Sequence, residues 1–346
     1  MKTKLIKTDP NNIDNDLIKI AADIIKSGGL VAMPTETVYG LAANGLDENA
    51  VGSIFKAKNR PADNPLILHI DKDYDLYKLV KNIPEKAQLA AKHFWPGPFT
   101  MVLERTDIIP HSVSPNLKTV SLRHPAHPVA QALIKASGCP LAAPSANSSG
   151  KPSPVTAQHV YDDLNGKIDA IIDGGASRIG VESTVVDFTC NPPNLLRPGG
   201  ITAEQLKALF EIKIDNAVLN KLSENEQAAS PGMKHKHYAP NAPMLLFKCG
   251  REELAALIIK DNKKNIGILS FTDDFEYFQK AVPNAKVIRY GRKDSPEEQA
   301  QYLFSALRGF NEMQTEKIYA QCPSKDGIGM AVFNRIIRAA EFNLID

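Results

Sequence analysis

The residues able to do chemistry cluster in six short segments. In AKNRPADNPLILHI, residues 57–70, Lys58 and Arg60 flank Asn59. Two cations held together by local geometry attract an anion, and phosphate suits both the planar fork of Arg and the point charge of Lys. A solvated charge run is the other reading of Lys-x-Arg. His69, inside the apolar LILHI, fits either a core histidine or a polar contact at a strand end. In TVSLRHPAHP, residues 119–128, a strand delivers Arg123 into a proline-punctuated turn. Such an Arg can clamp a carboxylate through two parallel hydrogen bonds or form a surface ion pair. LAAPSANSSGKPSP, residues 141–154, opens from a buried strand into small hydroxyl and amide residues that let backbone N–H groups approach an anion. Pro144, Pro152 and Pro154 make it stiffer than an ordinary loop.

PTETVYGL, residues 34–41, offers Thr35, Glu36 and Thr37 beside Gly40, as site residues or as a strand-to-helix cap. IIDGGASRIGVESTVVDF, residues 171–188, is a glycine-rich crossing with Ser183 and Thr184 at the start of a strand, and LLRPGG places Arg197 at another strand end. SPGMKHKHYAP, residues 230–240, holds His235 and His237. Their i, i+2 spacing, without an acidic or Cys partner nearby, argues against a metal site. Tyr238 beside them could stack on a base. P-loop, GxSxG, HExxH and kinase signatures are absent. The residues alone therefore describe a cationic, hydroxyl-rich, proline-stiffened pocket for an anionic small molecule.

The elements that must hold these segments follow from periodicity. Ile13, Leu17, Ile20, Ala21, Ile24 and Ile25 trace one face of a helix that stops at Gly28 and Gly29, followed by a strand over 30–33. Strands are expected at 66–70, 100–103, 119–122, 141–143, 170–172 and 184–188, with helices at 85–94 and 129–137. This is a mixed α/β domain over residues 1–210. Residues 211–243 read as a linker. From 244 to 346, strands at 244–247, 266–271, 286–290 and 318–320 alternate with helices at 252–260, 275–281, 296–310 and 330–342, which predicts a small Rossmann-like parallel sheet. No GxGxxG follows its first strand, so a dinucleotide role has little support.

Composition bounds the rest. Apolar residues make up 43% and charged residues 23% of the chain, and 41 basic against 39 acidic groups leave a net charge of +2. Global disorder is excluded, and no basic half or tail suggests stable nucleic-acid binding. Cys139, Cys190, Cys249 and Cys322 form no CxxC pair, and no apolar run reaches the ~18 residues of a membrane helix, pointing to a soluble cytoplasmic protein without membrane contact. Proline is in excess, at 24 residues. Pro34, Pro61, Pro65, Pro125, Pro144, Pro152, Pro198 and Pro240 lie in or beside the site segments, where rigid loops lower the ordering cost of binding.

In this order, PTETVYGL, KNRP with DNPL, SLRHP, APSANSSG, ESTVVD and LRPGG resemble the YrdC-type threonylcarbamoyl-AMP synthase family. PGMKHKHYAP with a Rossmann-like region behind it resembles the long two-domain branch. The resemblance implies a YrdC-like fold and the condensation of L-threonine, bicarbonate and ATP into L-threonylcarbamoyladenylate and pyrophosphate. It places this step on the route to N6-threonylcarbamoyladenosine in tRNAs reading ANN codons, with a downstream tRNA threonylcarbamoyl transferase as partner. The KxR and SxN signatures fall on Lys58 and Arg60 and on Ser145 and Asn147. Threonine-binding positions match Thr37, His69, Arg123 and Ser183. Nucleotide-binding positions match Lys58, Arg60, Asn64, Thr119, Ala143, Ser145, Ser153, Arg197 and Tyr238. Mg²⁺ is expected to arrive on the ATP phosphates, with no protein metal ligands, and residues 230–240 are expected to close over the pocket as a lid. A carbamoyl-adenylate-forming enzyme and a non-catalytic RNA-binding module are the alternatives.

Overall fold

The computed structural model describes residues 2–220, 237–261 and 263–345. Two sheets organise them. The first has eleven strands in the spatial order Lys4–Lys7, Ala170–Asp173, Val31–Met33, Gly40–Asn44, Leu141–Ala142, Ile67–His69, Thr119–Arg123, Phe99–Glu104, Thr184–Asp187, Asn194–Arg197 and Lys213–Ile214. Its pairings mix parallel and antiparallel, as in Ile67–His69 running parallel to Thr119–Arg123 while Phe99–Glu104 runs against it. The second sheet has five strands, ordered Lys286–Arg289, Ile266–Ser270, Lys317–Gln321, Met244–Phe247 and Leu344–Ile345, all parallel. The mixed α/β catalytic fold and the parallel C-terminal sheet expected from the sequence are both present.

Helices Asn15–Lys26 and Pro128–Ser137 cover one face of the first sheet, burying Ile18, Ala21, Ala22 and Ile25 against Val129, Ala130, Leu133 and Ile134. The larger core, with Tyr39, Leu68, Phe99, Met101 and Leu122, fills the other face. Helix Pro296–Glu312 carries its apolar stripe of Ala300, Leu303, Phe304 and Leu307 into a cluster that also includes Val38, Val155 and Val181 from the first domain. The domains therefore share a core.

Several elements depart from the sequence reading. Lys4–Lys7 forms an edge strand with only Ile6 buried, too little apolar alternation to announce itself. Gly40–Asn44 is a strand antiparallel to Val31–Met33, where Gly and Ala obscure its strand character. Helix Ala157–Leu164 and the short strand Leu344–Ile345 were not anticipated. Within the expected linker, Lys213–Ile214 pairs parallel to Asn194–Arg197 and extends the first sheet. Most of the expected lid, including His235, lies outside the described residues.

Candidate active site

Helix Glu48–Lys58 begins at Asp47, whose carboxylate accepts from the backbone N–H groups of Asn49 and Ala50. It ends at Asn59 in the left-handed region, φ 51°, a conformation Asn tolerates. That turn sends the two cations to different places. Lys58 is 2% exposed and donates to the carbonyls of Ser145 and Asn147, while Arg60 lines a cavity. Arg60 Nε donates to Asn64 O at 3.3 Å and Nη2 to Pro65 O at 3.0 Å, so neutral oxygens fix the fork without cancelling its charge.

The same cavity is lined by Thr35, Thr37, His69, Arg123, Ala143, Ser145, Ser183, Arg197, His237 and Tyr238, with Glu182 among them. His69 and Arg123 end neighbouring parallel strands, directly paired in register. Arg197 Nε donates to Ser183 O at 3.0 Å and Nη2 to Ser183 Oγ at 3.1 Å; that hydroxyl is also 2.7 Å from Thr100 Oγ1. Gly199 permits this approach, because a Cβ there would lie 2.3 Å from Thr184 N. Thr35 Oγ1 donates to Val38 O at 2.6 Å and stands 2.8 Å from Thr37 Oγ1, closing the loop of residues 34–39.

Electrostatics set the character of the cavity. Burial, relieved in part by Tyr238 and reinforced by the Arg197 charge, brings Arg60 down to about 10. Arg197 also comes down to about 10, through burial and neighbouring positive charge. Crowded guanidinium groups of this kind favour an incoming anion. Burial first, and then the Arg123 charge, push His69 down to about 3, so it is a neutral imidazole at ordinary pH. Its Nδ1 lies 3.3 Å from Ile67 O, which makes Nδ1–H the donor in the neutral ring.

Of the residues singled out from the sequence, Thr37, Arg60, His69, Arg123, Ala143, Ser145, Ser183, Arg197 and Tyr238 come together on this wall. Lys58, Asn64, Thr119, Asn147 and Ser153 stand outside it. Lys58 pins the 145–147 loop from behind, and Asn147 braces the same loop, its Oδ1 taking Ser145 Oγ at 2.6 Å and its Nδ2 donating to Ser148 O and Lys151 O. Thr119 begins its strand level with Pro65, in the register that pairs Ser121 with Ile67. Tyr238 lines the cavity with its ring stacked on Phe304 at 5.3 Å and a backbone φ of 63°.

Residues 23–199 match the family described as "Telomere recombination", which groups Sua5, YciO and YrdC, and residues 201–341 match the threonylcarbamoyl-AMP synthase C-terminal domain. The chain belongs to the threonylcarbamoyl-AMP synthase family. It is 46% identical to the threonylcarbamoyl-AMP synthase of Pyrococcus abyssi over 95% of both chains, and 42% identical to that of Bacillus subtilis over 98% of both. The P. abyssi Sua5 structure in complex with L-threonine superposes with a TM-score of 0.89 at 45% identity, covering 99% of each chain.

Three charged residues stand at or beside this cavity, of which the sequence offered Glu36 as one of two readings and did not single out Glu182 or Arg335. Glu36 Oε1 accepts from Arg123 Nη2 at 2.7 Å in a pair only 5% exposed on either side. Glu182 Oε1 accepts from Ser153 Oγ at 2.5 Å and its Oε2 from Arg335 Nε at 2.8 Å. Arg335 comes from helix Gly329–Ala339 of the C-terminal domain. Glu36 and Glu182 sit inside segments already suspect, but Arg335 is 153 residues from its partner, and no local pattern signals that pairing.

Proposed function

We propose that the first domain condenses L-threonine, bicarbonate and ATP into L-threonylcarbamoyladenylate and pyrophosphate, with Arg123 receiving the amino-acid carboxylate and Arg60 and Arg197 receiving the phosphates. The observation that carries this reading is one cavity lined by three arginines, Arg60, Arg123 and Arg197, with His69 paired in register beside Arg123, within a family that bears this activity. Threonine's amine attacks the carbon of bicarbonate, water leaves, and a carbamate forms. Holding the two reactants together supplies most of what that step needs, so no protein nucleophile is required. A carbamate oxygen then attacks the α-phosphorus in line, a new P–O bond forms, and pyrophosphate departs with the electrons of the broken bond. Arg60 and Arg197 neutralise charge building on the phosphates.

Lys58 acts at one remove in this scheme, fixing the Ser145 and Asn147 carbonyls so that the 143–147 backbone faces the nucleotide. Among the described residues the one carboxylate on the cavity wall, Glu182, has both oxygens engaged, so Mg²⁺ fits as an ion carried by the triphosphate and water rather than one caged by protein. When bound, it would add charge neutralisation at the phosphates. The product would pass to a tRNA threonylcarbamoyl transferase in the cytoplasm, towards N6-threonylcarbamoyladenosine. Pyrophosphate release from ATP tests the reading: it should require threonine and bicarbonate together. Release supported instead by carbamoyl phosphate would favour carbamoyl-adenylate chemistry, and no release under any combination would favour a binding module.

A further inference from the structure

The loop between strand Leu141–Ala142 and helix Ala157–Leu164 brings Ser145 to the cavity wall. Two anchors hold it. Near its start, Lys58 donates to the carbonyls of Ser145 and Asn147, and Ser145 Oγ meets Asn147 Oδ1 at 2.6 Å. Near its end the anchor is one carboxylate. Asp163, 5% exposed on helix Ala157–Leu164, accepts from Ser148 N at 3.3 Å and from Lys151 Nζ at 2.9 Å. Asn147 Nδ2 joins the two anchors by donating to Ser148 O at 2.9 Å and Lys151 O at 3.0 Å. The Asp163 carboxylate is itself held from the other domain. Arg308 Nη2, on helix Pro296–Glu312, lies 2.8 Å from Asp163 Oδ2 and 2.6 Å from Pro152 O. Burial would push the Asp163 carboxyl up, but the hydrogen bonds and charges of Arg308 and Lys151 bring it below its ordinary value, so it grips both as an anion. A continuous path of hydrogen bonds therefore runs from Arg308 through Asp163, Ser148 and Asn147 to Ser145.

We propose that Arg308, supplied by the C-terminal domain, is a positioning residue of the nucleotide site: by gripping Asp163 and Pro152 O it fixes the 145–152 backbone that sets Ser145 on the cavity wall. A guanidinium suits this task, because its Nη2 offers one hydrogen to each of two acceptors. Without it, Asp163 keeps the partly exposed Lys151 as its remaining ion-pair partner among the described residues, and Pro152 O loses its donor. The loop then gains freedom that ATP binding must remove, at a cost in affinity. Arg123 and His69 stand on paired strands outside this loop, so threonine binding is insulated from the change. The second domain thus acts on the nucleotide through the first domain's own loop, and Arg308 touches no substrate. This inference rests on the reading of Ser145 as part of the ATP site.

The test uses the full-length chain, with calorimetric titration of ATP and, separately, of L-threonine, beside hydrogen exchange read over residues 144–154 and, as a remote control, over helix Glu85–Phe94. Arg308→Met should raise the Kd for ATP by about fivefold or more while the Kd for threonine stays within about twofold. Amide protection should fall over 144–154 and hold in the control helix. Arg308→Lys keeps the charge without the planar fork and should lie between Arg308→Met and wild type, with ATP binding weakened by about threefold. Should Arg308→Met fail to fold, Arg308→Lys decides by the same two readouts. Equal losses for both ligands, ATP affinity unchanged in a variant that melts earlier, or unchanged protection over 144–154 would overturn the proposal and leave Arg308 as a fastener of the domains alone. Failure of the wild-type chain to bind ATP at all would instead overturn the functional reading beneath it.

Discussion

Buried arginines serve opposite ends in the two domains. In the first, Arg60, Arg123 and Arg197 are each oriented by carbonyl oxygens of their own domain, those of Asn64, Pro65, Gly97 and Ser183, beside a cavity. In the second, Arg308 and Arg335 reach across to acceptors of the first domain, Pro152 O with Asp163 and Glu182, and Arg338 reaches Ala217 O of the connecting segment. A carbonyl fixes a guanidinium and leaves its charge to act, whereas a carboxylate cancels it. Arg308 and Arg335 end on carboxylates across the domain boundary, whereas Arg60 donates to the carbonyls of Asn64 and Pro65 and Arg197 to Ser183, and both line the cavity proposed to take phosphate. Arg123 stands between these cases, lining the cavity while paired with the buried Glu36.

The largest effect that could break this comparison is at Arg123. Arg123→Ala should cost ~3–5 kcal/mol of stability, because Glu36 would be left buried and unpaired. The same variant should weaken threonine binding by more than about tenfold while ATP binding changes little. Denaturant melts and calorimetry would check both, and equal losses of the two ligands would contradict the carboxylate assignment. Next comes Arg197→Ala, expected to lower kcat/KM for ATP by ~10²–10³, the range for removing one preorganised charge donor, with threonine affinity held within about threefold. Steady-state kinetics beside threonine titration would separate the two.

Acid exposes the same wall from another side. His69 is held down to about 3 when folded, while the unfolded chain titrates it at about 6.5. Between those values the unfolded state binds a proton that the folded state refuses, so stability falls as pH drops from about 6.5 towards 3, by up to a few kcal/mol. His69→Gln should flatten that slope in chemical melts taken across the range, and an unchanged slope would count against a buried neutral His69. The smallest effect should come at the joint between domains. Gly180 has φ +84°, and a Cβ there would stand 2.3 Å from Ala300 O. Gly180→Ala should therefore cost ~1–3 kcal/mol and loosen the C-terminal domain, read as faster proteolysis between the domains, with threonine affinity unchanged.

What the sequence discloses follows the same line between local and distant causes. Helix Glu85–Phe94 falls where periodicity puts it, because it buries one stripe, with Ala87 and Ala90, recorded in neighbouring residues. Gly40–Asn44 escapes, since its strand character comes from pairing with Val31–Met33 and not from its own Gly and Ala. In the site, Arg123 and Arg197 are legible as Arg at strand ends, and the family resemblance organises them. The hold of Lys58 on the Ser145 and Asn147 carbonyls is not legible, because those acceptors lie 87 and 89 residues away along the chain. Arg335 is invisible for a plainer reason, as its meaning lies in Glu182 and the two meet only after both domains have folded.

The central claim, that this cavity builds a threonylcarbamoyl-adenylate, is tested most directly by supplying ATP, L-threonine and carbon-13 bicarbonate and weighing the product. The account predicts an adenylate that contains threonine and gains one mass unit from the labelled carbon, formed in step with pyrophosphate, and diminished together with it in Arg197→Ala. An adenylate lacking either threonine or the label would contradict it.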